Sequence, residues 1–301
     1  MRLLDDQTLE LIYQESIRDA LFEGVSASAQ PRLVIVGGQP GAGKTYAVLA
    51  ATQELAVVGT GVAFINGDEL RTYHPHYEAL IQEDSATAAD KTGTDVGWWV
   101  RRGISEAAAS GFNTVLETTM RQPAVVTRTA GEFANRGFKI ELRVMLAHPE
   151  VSLLGIYQRY AGALQRANVL PRFTLPHYHD DALEQMPNTL SVVAPAVDVV
   201  RIVDRQGDDL YASTSSPLDP VAALQTLRQR PLSQDRIERI GQTWRQLVEA
   251  LDRDGVPDVV RAGVRREQQR FSATVEAASG PVAEGSTPAP ANAQRRRAPR
   301  P

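Results

Sequence analysis

The stretch Leu33-Val-Ile-Val36-Gly37-Gly38-Gln39-Pro40-Gly41-Ala42-Gly43-Lys44-Thr45 decides the reading of this chain. Four apolar residues without alternation suit a strand buried on both faces, as in the centre of a parallel sheet. The residues that follow fit G-x-x-x-x-G-K-[ST] and run into a helical pattern over 44–57. Backbone N–H groups of such a glycine-rich turn can converge on a polyanion without side-chain clash, and the helix N-terminus adds partial positive charge. Residues 38–45 are therefore the expected nucleotide-binding loop. Lys44 is placed to reach the β- and γ-phosphates, and Thr45 to offer its hydroxyl to Mg²⁺.

Working outward, further apolar runs at 62–65, 114–116, 140–146 and 199–203 alternate with helical segments at 98–110, 124–136 and 150–166. That alternation predicts an α/β fold, a P-loop NTPase-type parallel sheet with helices on both faces. Ligands of such sheets bind beyond the carboxyl ends of the strands. Two more strand ends carry polar chemistry there. Asn66-Gly67-Asp68 follows the second strand, and Asp68 could accept a proton from an attacking hydroxyl or simply cap the next helix. Glu117, Thr119 and Arg121 follow the third strand, as an acceptor-binding set or as a capping cluster before Pro123. On pattern alone Arg159 and Arg172 are solvated helix arginines. They can meet at a phosphoryl group only if the segment between them folds over as a lid.

The 301 residues carry 43% hydrophobic and 23% charged side chains, ordinary for a globular chain, and a net charge of −4 that disfavours general nucleic-acid binding. There is no cysteine, which excludes thiolate chemistry and disulfides. The opening residues are too polar for a secretory leader and no run is long enough to span a bilayer, so a cytoplasmic location is expected, with no membrane partner. Leu9, Ile12, Ile17 and Leu21 recur at helical spacing, giving an N-terminal helix within 1–24. The kinase-like domain is assigned to 25–230, a helical extension to 231–274, and a disordered Ala/Pro/Gly/Ser tail ending in an Arg-rich run to 275–301. His177-Tyr-His179-Asp180-Asp181 reads as a surface helix start, and Asp204-Arg-Gln-Gly207 as a turn.

The ordered set Gly38–Thr45, Asn66-Gly-Asp68 with His74-Pro75, Leu116-Glu117-x-Thr119-x-Arg121, Arg159-Tyr160, Arg172, His179-Asp180 and Met186-Pro187 resembles the zeta-toxin family of toxin–antitoxin systems. These are P-loop kinases that phosphorylate UDP-N-acetylglucosamine. The resemblance covers about 34–190. It implies that Lys44 holds the ATP phosphates, that Asp68 is the base on the sugar 3′-hydroxyl, and that Glu117 and Thr119 contact the sugar nucleotide. It also implies that Arg159 and Arg172 are lid arginines. The family's substrate-binding Glu, on the helix before the third strand, is matched here by Arg101. Asp95, one or two turns earlier, is taken as its substitute, and His74 and Arg121 as further substrate contacts.

The expected function is transfer of the γ-phosphate of ATP to a hydroxyl of a sugar nucleotide, with Mg²⁺ as cofactor and a small helical antitoxin as a partner. A P-loop kinase for another acceptor (a nucleotide, antibiotic or dinucleotide) and a non-enzymatic nucleotide-dependent switch are the rival readings.

Overall fold

A computed structural model describes residues 2–56, 60–166 and 171–278. Six strands form one sheet: β1 (Arg32–Gly37), β2 (Ala63–Ile65), β3 (Thr114–Thr118), β4 (Lys139–Met145), β5 (Val199–Val203) and β6 (Asp209–Ala212). Their spatial order is β2-β3-β1-β4-β5-β6, and only β6 runs antiparallel. The helices follow in chain order. They are α1 (Asp6–Ile12), α2 (Arg18–Phe22), α3 (Lys44–Leu55), α4 (Gly67–Leu70), α5 (Tyr77–Glu83), α6 (Ala88–Lys91) and α7 (Gly93–Ser110). After them come α8 (Pro123–Ala134), α9 (Pro149–Arg166), α10 (Pro176–Val193), α11 (Pro220–Arg228), α12 (Gln234–Leu251) and α13 (Asp258–Ala278).

The uninterrupted apolar character of β1 has a direct structural cause. Leu33 and Ile35 join a large core on one face of the sheet, while Val34 and Val36 join a second core with Ala47, Val48, Ala51 and Leu55 of α3. A central parallel strand has no solvent face on which to place a polar residue. The edge strand β6 escaped the sequence pattern because four residues, two of them half-buried, carry little periodic signal.

The N-terminal helix belongs to the main body. Leu9, Tyr13, Ile17, Leu21 and Phe22 are buried in the large core, and Trp99 donates its indole N–H to Leu9 O at 2.9 Å. A π-helical turn, Tyr13–Ile17, separates α1 from α2. Beyond the sheet, α12 and α13 form a hairpin whose Ile240, Trp244, Leu247, Val260 and Val264 pack on Tyr157 and Tyr160 of α9. The extension therefore shares a core with the helix that carries Arg159. Helix α13 also runs to Ala278, past the boundary at 275 expected from composition; the expected disorder of the remaining tail concerns residues outside the described ones. So does part of the expected lid, residues 167–170. Among the described residues no helix is long and apolar enough to cross a membrane.

Candidate active site

The site grows from the carboxyl edge of β1. Register pairs Val36 with Glu117 and Gly37 with Thr118, so the end of β3 lies directly beside the start of the glycine-rich loop. Gly41 and Gly43 adopt φ of +75° and +91°, the left-handed region that glycine enters without steric cost. At Gly41 there is a second reason. A Cβ there would stand 2.0 Å from the carbonyl oxygen of Ser152, because the loop rests against the first turn of α9. Gly155 meets it from the other side, where a Cβ would fall 2.7 Å from Gly41 O.

Lys44, first residue of α3, is buried and donates from Nζ to Gly38 O at 3.0 Å and Gln39 O at 3.3 Å, with Glu117 Oε1 3.5 Å away. Burial pushes its ammonium below the usual lysine range, opposed by the charge of Glu117. The ammonium is thus held curled over the loop. Thr45 follows as an exposed residue in the first turn of α3. Pro40 lines the cavity, and Ala42 is buried. The Gln39 side chain lies under the loop, donating to Ala147 O at 3.0 Å and to Ser152 Oγ at 3.2 Å. Ser152 Oγ lies 2.8 Å from His179 Nε2, and His179 is buried, not on the surface as its sequence context suggested.

The cap beside Asp68 is supplied by its neighbour. Asn66 is the N-cap of α4: its side chain accepts from the Asp68 backbone N–H at 2.8 Å. That frees the Asp68 carboxylate, which accepts a hydrogen bond from Arg172 Nη1 and lies 3.8 Å from Arg71 Nη2. Burial alone would raise its pKa, but Arg172 and Arg71 overcome that and hold the carboxyl below the usual range. Asn66 also donates to Glu117 Oε2 at 3.1 Å, tying the ends of β2 and β3 together. Arg159 donates to Thr174 Oγ1 at 2.8 Å, and burial holds its pKa down against the opposing charge of Asp68. Arg71 was missed by sequence reading. Its guanidinium is buried, donating to Ala89 O and Thr92 Oγ1 at 2.7 Å each, and its position three residues after Asp68 on one helical face was the available signal.

Thr119 and Arg121 are presented by a strained backbone. Met120 between them has φ of +57°, rare for a residue with a side chain. Thr189 Oγ1 of α10 donates to its carbonyl at 2.6 Å, and its side chain fills the space above Gly37. Thr119 and Arg121 both reach the cavity, where Arg121 lies over the Tyr178 ring at 4.5 Å.

These groups line one cavity of about 470 Å³: Lys44, Asp68, Glu117, Thr119, Arg121, Arg159 and Arg172 all border it. His74 and Asp95, expected as substrate contacts, do not. Both are fully buried beside the cavity, with His74 Nε2 3.2 Å from Asp95 Oδ2. The same carboxylate oxygen accepts the Leu3 and Leu4 backbone N–H groups at 2.9 and 3.2 Å. The pair anchors the start of the chain. The wall position expected of Asp95 is taken by Arg101.

A glycine-rich phosphate loop after the central strand, with acid and arginine side chains on the neighbouring strand ends, defines a P-loop kinase-like fold and site. The chain belongs to the zeta toxin family, whose model matches residues 15–216. It is 27% identical over 236 residues to toxin PezT of Streptococcus pneumoniae, covering 78% of this chain and 92% of that one. Toxin zeta of Enterococcus hirae is also 27% identical, over 234 residues, covering 74% and 80%. A structure from the PezAT chromosomal toxin–antitoxin system of Streptococcus pneumoniae superposes with a TM-score of 0.70 at 24% identity, over 83% of this chain and 98% of that one. The α12–α13 hairpin lies outside the family match.

Proposed function

We propose that the chain transfers the γ-phosphate of ATP to a hydroxyl of a small acceptor, the 3′-hydroxyl of UDP-N-acetylglucosamine being the leading candidate by family. The carrying observation is the convergence of Lys44 and the Asp68–Arg172 pair on a single cavity. The acceptor hydroxyl attacks the γ-phosphorus, its proton passes to an Asp68 carboxylate oxygen, and the β–γ bridging P–O bond breaks to release ADP. Lys44 leaves the loop carbonyls for phosphate oxygens, and Arg159 and Arg172 stabilise charge on the equatorial oxygens. As Arg172 turns to the phosphoryl group, Asp68 loses its nearest cation and becomes more basic when a proton must be taken. The oxygen chemistry of the Thr45 hydroxyl fits Mg²⁺, which takes few protein ligands beside phosphate oxygens and water, and which neutralises phosphate charge when bound. A small protein antitoxin is a further expected partner, supported by the toxin–antitoxin system of the structural relative.

The test is phosphorus NMR of ATP incubated with UDP-N-acetylglucosamine and purified protein. Lys44→Ala should abolish transfer. Asp68→Asn should lower it roughly 10²–10⁴-fold while ATP affinity holds. Since Asn66 supplies the helix cap, near-wild-type turnover in Asp68→Asn would return Asp68 to a structural role.

A further inference from the structure

The cavity holding Lys44, Asp68 and Glu117 lies over the ends of β2, β3 and β1. A second cavity, of about 360 Å³, lies over the ends of β4 and β5 and shares no lining residue with the first. It is walled by the turn 146–149 after β4, by 204–206 after β5, and by Leu232, Ser233 and Arg236 where α12 begins. Because β3 and β4 flank β1, the two cavities meet the glycine-rich loop from opposite sides. Lys44 borders the first, while Arg205 of the second lies against Gly43, where a Cβ would stand 2.9 Å from Arg205 Nε.

That arrangement suits one extended ligand. The phosphoryl group to be transferred must face Asp68 and Glu117, so the α-phosphate and what it carries point toward β4 and β5. The second cavity has the volume of a small-molecule site, for which roughly 300–1,000 Å³ is usual. Leu146, Pro149, Leu210 and Leu232 offer apolar surface to a flat ring. Among the described residues Arg205 and Arg236 have no ion pair and no side-chain hydrogen bond. An unengaged guanidinium is free to stack on the face of a base. Leu232, Ser233 and Arg236 all lie beyond residue 216, where the family match ends.

We propose that the C-terminal extension is a working part of the nucleotide site: the start of α12 closes the cavity that takes the base and ribose of the donor, with Arg236 covering the base. This rests on the reading of residues 38–45 as the phosphate loop. Arg205 stands at the loop side of the same cavity, next to the phosphate carried by the ribose. The hairpin then has two tasks, packing on α9 and walling the nucleoside, and only the second depends on Arg236.

The test compares two ligands on the full chain by calorimetry: a non-hydrolysable ATP analogue, and inorganic tripolyphosphate, which fills the loop without a nucleoside. Wild type should bind the analogue more tightly. Arg236→Gln should weaken analogue binding roughly 3–30-fold, the worth of one cation over an aromatic face, and leave tripolyphosphate binding within about twofold. Arg236→Lys, which keeps the charge and loses the planar fork, should fall between. Arg236 is exposed, and circular dichroism checks that the variants fold. Equal affinity of the wild type for the two ligands would overturn the nucleoside cavity. Wild-type analogue binding in Arg236→Gln, or a parallel loss for both ligands, would overturn the role of the extension. Failure of the wild type to bind either ligand would overturn the phosphate-loop reading itself, a result distinct from the others.

Discussion

Trp244 is the sharpest probe of how the C-terminal hairpin relates to the catalytic body. It is fully buried, packs edge-on against Tyr157 at 5.3 Å and 67°, and Tyr157 in turn lies 5.3 Å from Phe173. Replacing a buried Trp with Ala costs about 3–5 kcal/mol in lost transfer energy and residual cavity. The loss of an aromatic pair contributes within that figure at about 0.5–1.5 kcal/mol. One term runs the other way. Among the described residues the Trp244 indole N–H has no partner, so its removal recovers part of a desolvation penalty of about 1–3 kcal/mol. The expected loss for Trp244→Ala is therefore about 2–4 kcal/mol, while Trp244→Phe, which keeps a ring and deletes the orphan N–H, should cost under about 1.5 kcal/mol. Urea unfolding followed by circular dichroism gives both numbers. If the hairpin and the sheet are one cooperative unit, the curve stays a single transition with unchanged slope. A separate early transition in Trp244→Ala, or a loss below about 1 kcal/mol, would refute the shared core.

Three further outcomes follow from contacts described above. Gly155→Ala should destabilise by about 1–3 kcal/mol and raise the KM for ATP, since its Cβ must displace the Gly41 carbonyl; unchanged melting and KM would mean that the loop is not braced by α9. Asp95→Asn should cost about 1–3 kcal/mol of stability but leave the acceptor KM unaltered, and a raised KM would restore Asp95 to the substrate site. Asp68 has a folded pKa below its ordinary value of 3.8, so its stabilising contribution is complete above that value and is lost as pH falls through the folded one. The stability gap between wild type and Asp68→Asn should therefore stay level across neutral pH and close only below about pH 4. A gap that closes between about pH 6 and 7 would assign the effect to another group.

Local chemistry made much of this legible. The apolar run before the glycines, the loop spacing and the carboxylates at strand ends all act over a few residues, and each could be read in order along the chain. What failed to show depends on packing between distant segments. Asp95 reads in the sequence as a stand-in for the family's substrate-binding Glu, but its partners are Leu3, Leu4 and His74. The side-chain seat of Gln39 could not be read locally, because its partner Ser152 comes 113 positions later. His179 lay in a polar run, and its burial comes from α9 docking over it. The cap at Asn66 was the exception in the opposite sense, a two-residue contact that the sequence carried openly but that Asp68, as an equally good capping type, obscured.

The hydrogen-bond chain from Gln39 through Ser152 to His179 has a consequence for synthesis. The glycine-rich motif is complete in the chain by residue 45, yet the groups that seat it come from α9 and α10, and β4 and β5 flank the same edge of the sheet. Contacts of such sequence separation form only after long loops have closed, and they dominate the slow steps of folding. A growing chain released short of His179 would carry every residue of the phosphate motif and lack its seat. The loop thus gains the last of these supports only when well over half of the polypeptide has been made.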